Sequence, residues 1–321
     1  MSSNIKILPI NNSCLVYNDS FCDVVKDYYN YITMLLYKVL DKNPHLNVIA
    51  VFENILHRAP DPRKVIYVYL NIEHTLVRPG GRDAENAPLG NTPCEYTGGL
   101  TPGGGAKENY LVRIDKLHVM QQKHIIADYS MPNIIHVRES GLYNDIVEKM
   151  VYIAPLLYSP QFHGSVARDI SCLTTFICLG QPRRKALLEK AGSHIQNIKN
   201  CFHRDELQKL YWRTKVMINI HQTDHHHTFE ELRVLPALLC GVIVVCERSP
   251  LWESVPYNKF VIWCDYDEII EKSREVLENY EECYNHIFGG AGAQELRTIL
   301  EKMEHDNYTN LLEKVERVAH T

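Results

Sequence analysis

The chain has no apolar run approaching the roughly 18 residues that a membrane-spanning helix needs. Its first residues, MSSNIKILPINNSC, lack the charged start and long apolar core of a secretion signal, so a cytoplasmic protein is expected. There is no basic excess: 34 Lys and Arg stand against 39 Asp and Glu, a net charge of −5, which argues against a nucleic-acid-binding face. The ten cysteines contain no CxxC pair and no regular framework. Reduced, mostly buried thiols are therefore expected rather than a disulfide scaffold. No internal repeat or low-complexity tract is visible, and neither GxGxxG nor GxxxxGK[ST] occurs.

What is there is ordinary globular composition over 321 residues, 45% hydrophobic and 23% charged, long enough for two cores. In the first half, IKILPI reads as a strand and residues 21–40 as a helix. LNVIAVFEN (46–54) and RKVIYVYLNIEHT (63–75) read as buried strands, as do NIIHVRES (133–140) and MVYIAPLLY (150–158), the last two separated by a short helix after Gly141. Residues 76–108 form a long Gly- and Pro-rich stretch, of the length usually reserved for functional or disordered loops. SPQFHGSVARD (159–169) reads as a linker. A second alternation follows: strands at 170–180, 216–222, 242–247 and 259–265, helices at 181–192, 204–215 and 228–241, then amphipathic helix to the end. Alternating buried strands and helices imply parallel sheets covered on both faces. The expected architecture is α/β, with Rossmann-like doubly wound domains at 1–160 and 161–321 facing a cleft.

The segment HHHTFEELRVLPALLCGVIVVCE (225–247) puts titratable groups at the mouth of an apolar helix. Thr228 is a natural N-cap with Glu231 three positions on, a capping box with a purely structural reading. The same helix start, if it faces the cleft, favours a phosphate through its free N–H groups and dipole. A carboxylate there, Glu230 or Glu231, suits a ribose diol, and Arg233 suits a diphosphate. His221, at the preceding strand's end, belongs to the same loop. The run His225, His226, His227 cannot easily converge on one ion, so no metal site is expected. NIEHT (71–75) ends a buried strand with a carboxylate and an imidazole, Glu73 and His74, either of which suits the removal of a hydroxyl proton. Alternation along the strand lets only one of them face the cleft. RPGGRD (78–83) fits no phosphate-loop motif and reads as a lid, with Arg78, Gly80, Gly81 and Arg82 near the acceptor or diphosphate.

The order strand, loop, TFEELR, ALLCG, VIVV, Glu resembles the donor-binding half of GT-B glycosyltransferases. So does CLGQPRRKALLEKAG, with its Gly180 turn and Arg183 and Arg184 at a helix start. Together with NIEHTLVRPGGRD, the chain resembles the small capsid-glycan glycosyltransferases of large algal viruses, nearest a β-xylosyltransferase. The resemblance implies a GT-B-like fold and transfer of a sugar from a UDP-sugar, UDP-xylose foremost, to a glycan hydroxyl, with no cofactor and no metal. It implies that Gly180, Arg183, Arg184, His221 and Thr228 hold the nucleotide diphosphate. Where many retaining members carry an acid, as in EAMACG, this chain has Pro236, which points to an inverting reaction with Glu73 as base and Glu230 or Glu231 on the ribose. Two other readings fit the same architecture: a sugar-nucleotide epimerase or phosphorylase, and a non-catalytic nucleotide- or glycan-binding protein. The Tyr-rich segments permit a homodimer.

Overall fold

The computed structural model describes residues 4–19, 25–52, 61–72, 75–77, 94–96, 110–112, 114, 117–141, 143–162, 168–175, 182–199, 201–222 and 229–321. Two parallel sheets organise the chain. The first has six strands in the order β1-β2-β3-β4-β8-β9: β1 (Ile5–Ile10), β2 (Ser13–Asn18), β3 (Val48–Phe52), β4 (Lys64–Asn71), β8 (Ile125–Asp128) and β9 (Met150–Tyr152). All neighbours pair in parallel except β1, which folds back antiparallel on β2. Short strands β5 (Leu76–Val77), β6 (Cys94–Tyr96) and β7 (Tyr110–Val112) make a separate antiparallel sheet. The second large sheet is wholly parallel, in the order β11-β10-β12-β13-β14. Its strands are β10 (Ile170–Thr174), β11 (Gln196–Asn197), β12 (Thr214–Asn219), β13 (Ile243–Glu247) and β14 (Ile262–Cys264). Its order reverses between β10 and β12, and ligands of such sheets bind at the strand carboxyl ends beside that switch point.

The helices are α1 (Lys26–Lys42), α2 (Leu117–Gln121), α3 (Met131–Ser140), α4 (Asn144–Val147), α5 (Pro182–Ala191), α6 (Arg204–Trp212), α7 (Glu231–Leu239), α8 (Ile269–Glu278), α9 (Tyr280–Phe288) and α10 (Gly290–His320). In α1, Tyr28, Tyr29, Ile32, Leu36, Val39 and Leu40 recur at helical spacing and are all buried against the first sheet. Val234, Leu235, Leu238 and Leu239 of α7 are fully buried, each side chain contributing about 1.5–3 kcal/mol. The turn from α7 into β13 requires glycine. Gly241 has φ +70°, and a Cβ there would stand 3.0 Å from Arg168 Nη2 and from Gln161 O. Arg168 ties that turn down, donating to the carbonyls of Tyr211, Thr214 and Cys240.

One segment expected as a strand is helical. NIIHVRES lies in α3, because Asn133, Ile134, His136 and Val137 are the buried positions, a helical rather than alternating set. Pro132 sits in its first turn and Gly141 closes it at φ 66° in the left-handed region. The buried strand next to β4 is instead the short run Ile125–Asp128. At the far end, the 31 residues of α10 span about 46 Å. Leu296, Leu300 and Met303 pack in the core of the second sheet, Leu311 and Val315 in that of the first. Between them the Asn307 amide is buried, accepting from Ala154 N–H at 2.8 Å and donating to Ala154 O and to the Tyr31 hydroxyl. No helix among the described residues is long and apolar enough to cross a membrane.

Candidate active site

The carboxyl ends of both large sheets open onto one cavity of about 240 Å³. Its first wall is built from the start of α1 (Asp27, Tyr28), the residue after β4 (Ile72) and the residue after β8 (Tyr129). Its second wall carries Thr175 after β10, Ile198 after β11, Phe202, and Glu230 and Arg233 at the start of α7. The lining is mostly aromatic and aliphatic with a few convergent charges, the usual make-up of a small-molecule site. Pro236 also lines it, at the position where the resembling enzymes place an acid.

Three arginines on the second wall are held by carboxylates. Glu230 sits between two guanidinium groups: Arg184 Nη2 donates to both of its oxygens at 3.2 Å, and Arg233 Nε lies 3.1 Å from Oε2. Arg184 is 1% exposed and also donates to Ile220 O, while Arg233 is partly exposed at the cavity and reaches Thr175 O. Behind this cluster, Glu247 ends β13 and takes a bidentate pair from Arg183, at 2.7 and 2.5 Å, plus the His221 backbone N–H at 2.9 Å. The Arg183 guanidinium lies 3.8 Å from the centre of the Tyr266 ring. Burial alone would raise the Glu247 carboxyl, but His221 and Arg183 outweigh it and hold it below the ordinary value. The His221 ring faces Arg248 O at 3.1 Å.

The first wall is built differently. Asp128, fully buried at the end of β8, accepts from Asn71 Nδ2 (2.6 Å), Asn133 Nδ2 (3.1 Å) and Ser130 N–H (2.9 Å). Asn133 in turn accepts from the Thr75 hydroxyl at 2.7 Å. The chain on either side of residues 73 and 74 is thus tethered at Asn71 and at Thr75. Burial, only partly opposed by Ser130 N–H, Asn71 and Asn133, pushes the Asp128 carboxyl up to about 7.

Of the residues singled out from sequence, Glu230 and Arg233 line the cavity, while Arg183, Arg184 and His221 stand behind it, in contact with the carboxylates that shape it. Glu73, His74, Arg78, Gly80, Gly81, Arg82, Gly180 and Thr228 lie outside the described residues, as do His225, His226 and His227. Glu231 is placed elsewhere than expected. Helix α7 begins at Glu231 itself, with Glu230 at the N-cap and no side-chain cap bond there. The Glu231 carboxyl is fully buried between the halves, accepting from the Met131 N–H at the start of α3 and from the Tyr152 and Tyr257 hydroxyls. Of the two acids put forward for a ribose, only Glu230 is among the residues that line the cavity. Burial pushes the Glu231 carboxyl up to about 8.

Asp27 and Asp128 were not among the candidates. Asp128 carried a legible signal, an acid closing the apolar run IIAD, of the same kind as Glu73 after YVYLNI. Asp27 carried none, since an acid in the first turn of a helix is commonplace.

Residues 172–307 match the model of the Glycosyl transferase-like family. The chain is also 34% identical over 199 residues to an uncharacterized protein of Acanthamoeba polyphaga mimivirus; the match covers 56% of this chain and 65% of that protein, just under two thirds of its length. The second half therefore carries a glycosyl transferase-like domain. The two α/β sheets, of six and five strands, agree with the GT-B arrangement expected from sequence.

Proposed function

We propose that the chain is a glycosyltransferase that moves a sugar from a nucleoside-diphosphate sugar to a hydroxyl of a glycan, with inversion at the anomeric carbon. The observation that carries this reading is the cavity onto which strand ends of both large sheets open, with the Arg184–Glu230–Arg233 cluster on the side of the glycosyl transferase-like domain. On that wall Glu230 accepts from the ribose hydroxyls. Arg233, with the start of α7 and Thr228, neutralises charge as the diphosphate leaves. Arg184 and Arg183 fix the two carboxylates, and through them the shape of the wall. Fixed cations at the leaving group do the work a divalent ion does elsewhere, so the reaction is proposed to need no metal. UDP is the proposed nucleotide and xylose the first sugar to test, both resting on the sequence resemblance, as does a role in glycoprotein or capsid-glycan synthesis. The lid residues Arg78, Gly80, Gly81 and Arg82 are proposed on the acceptor side. Proton removal falls to an acid on the first wall. Glu73 and His74, which follow Ile72, are the candidates put forward by sequence.

The test is a melting-temperature scan with UDP, GDP and ADP, with and without EDTA. A ligand that binds only the folded state stabilises it by RT ln(1 + [L]/Kd), about 2.7 kcal/mol at a hundredfold excess over Kd. The expected outcome is an upward shift with UDP that survives EDTA. No shift with any of the three nucleotides overturns the reading.

A further inference from the structure

We infer that Asp27 is the catalytic residue that takes the proton from the acceptor hydroxyl, the role sequence alone would give to Glu73 or His74. The inference rests on the transfer reading and assigns a residue within it.

Asp27 is the second residue of α1 and lines the cavity on the wall opposite Glu230 and Arg233. It is half-buried, yet it makes no hydrogen bond and no close ion pair with any described residue. A carboxylate withdrawn from water without a partner costs free energy, and such groups concentrate where chemistry needs them. A structural role at the helix start does not account for it. Val25 is the N-cap and no side-chain cap bond is made, and an acid offsets the helix dipole as well from an exposed position as from a cavity wall. The other acid of the cavity, Glu230, is already engaged by two guanidinium groups.

The surroundings fit a base. Burial raises the Asp27 carboxyl above the ordinary value, partly opposed by Arg204, with smaller effects from Asp205, His203 and Lys26. That makes it a better proton acceptor than a surface aspartate. Tyr28, Tyr129, Tyr211 and Phe202 give the same cavity flat apolar faces, against which the C–H face of a sugar ring packs. In the reaction the acceptor oxygen attacks the anomeric carbon and the new C–O bond forms. The bond from that carbon to the diphosphate breaks, and its electron pair leaves with the nucleotide. The hydroxyl proton passes to the Asp27 carboxylate and from there to water.

The experiment uses the full chain with UDP-xylose, UDP-glucose, UDP-galactose and UDP-N-acetylglucosamine against para-nitrophenyl glycosides, whose hydroxyls need a base. It then uses a thiophenol acceptor, which is largely ionised at neutral pH and needs none. Asp27→Asn is expected to keep the UDP-induced melting shift and to lose at least about 100-fold in transfer to the hydroxyl acceptors. It is expected to stay within about tenfold of wild type on the thiophenol. Glu73→Gln is expected to lose less on the hydroxyl acceptors than Asp27→Asn does. If Asp27→Asn does not fold, Asp27→Ser is read in the same way. Hydroxyl transfer retained by these variants, an equal loss on both acceptor types, or a larger loss in Glu73→Gln each overturns the role of Asp27 while leaving the transferase standing. A folded wild type that transfers from none of the sugar nucleotides overturns the transferase reading, and the base with it.

Discussion

Asp128 and Glu247 both close a buried parallel strand at the rim of the cavity region, one in each half. Glu247 meets a guanidinium and a histidine N–H, and its pKa falls; Asp128 meets two amides and a backbone N–H, and its pKa rises to about 7. The difference lies in the partner. A buried carboxylate opposite a cation stays ionised and locks that cation in place, whereas one among neutral donors is left poised to take up a proton. The second half is thus braced by fixed charge. The first half is braced by amide and backbone donors, with an acid at its rim, Asp27, that pairs closely with none of the described residues.

The largest expected effect comes from breaking the charged side. Arg184→Met removes one of the two guanidinium groups that hold the buried Glu230, and removing one partner of a buried pair typically costs about 3 kcal/mol or more. Denaturant unfolding is expected to register that loss together with a weakened UDP shift. A loss below about 1 kcal/mol would mean that the Glu230 site relaxes to water.

The next effect sharpens the contrast through pH. Asp128 and Glu231 have folded pKa values of about 7 and about 8, raised from 3.8 and 4.5. The folded chain therefore holds protons that the unfolded chain has released. Their contribution is fully present below about pH 4 and is lost as pH rises through 7 and 8. Glu247, with its pKa lowered from 4.5, runs the other way: its contribution is present above 4.5 and lost on acidification. Melting curves from pH 5 to 9 should fall in wild type, and Glu231→Gln and Asp128→Asn should each flatten part of that fall. An unchanged slope in both variants would refute the assignment. The smallest effect is expected where an ion pair is exposed. Arg213 and Asp169 pair closely but in open solvent, so Arg213→Ala should leave the melting temperature within experimental scatter.

Much of this architecture is written locally. The apolar runs at 46–54, 63–75 and 242–247, the Gly241 turn and the charged mouth of α7 are visible because burial on both faces of a parallel strand demands continuous apolar sequence and a reversal at φ +70° favours glycine. Other features are illegible at that range. Ile134, Ile135 and Val137 favour a strand by type, and only the burial of Asn133, Ile134, His136 and Val137 on one helical face reveals the helix. Glu231 looks like a capping-box acid until Met131, Tyr152 and Tyr257, 100, 79 and 26 residues away, converge on it.

The sequence by itself determined the α/β class, the alternation of strands and helices in both halves, and the presence of acids and arginines around α7, because each follows from periodicity or from residue chemistry within a few positions. Only the tertiary structure decided which of those groups reach the cavity, that α10 returns to the first core, and that Asp27 stands there with no close partner among the described residues. Exposure and pairing are properties of neighbours in space, and the chain brings those neighbours from residues more than a hundred positions apart.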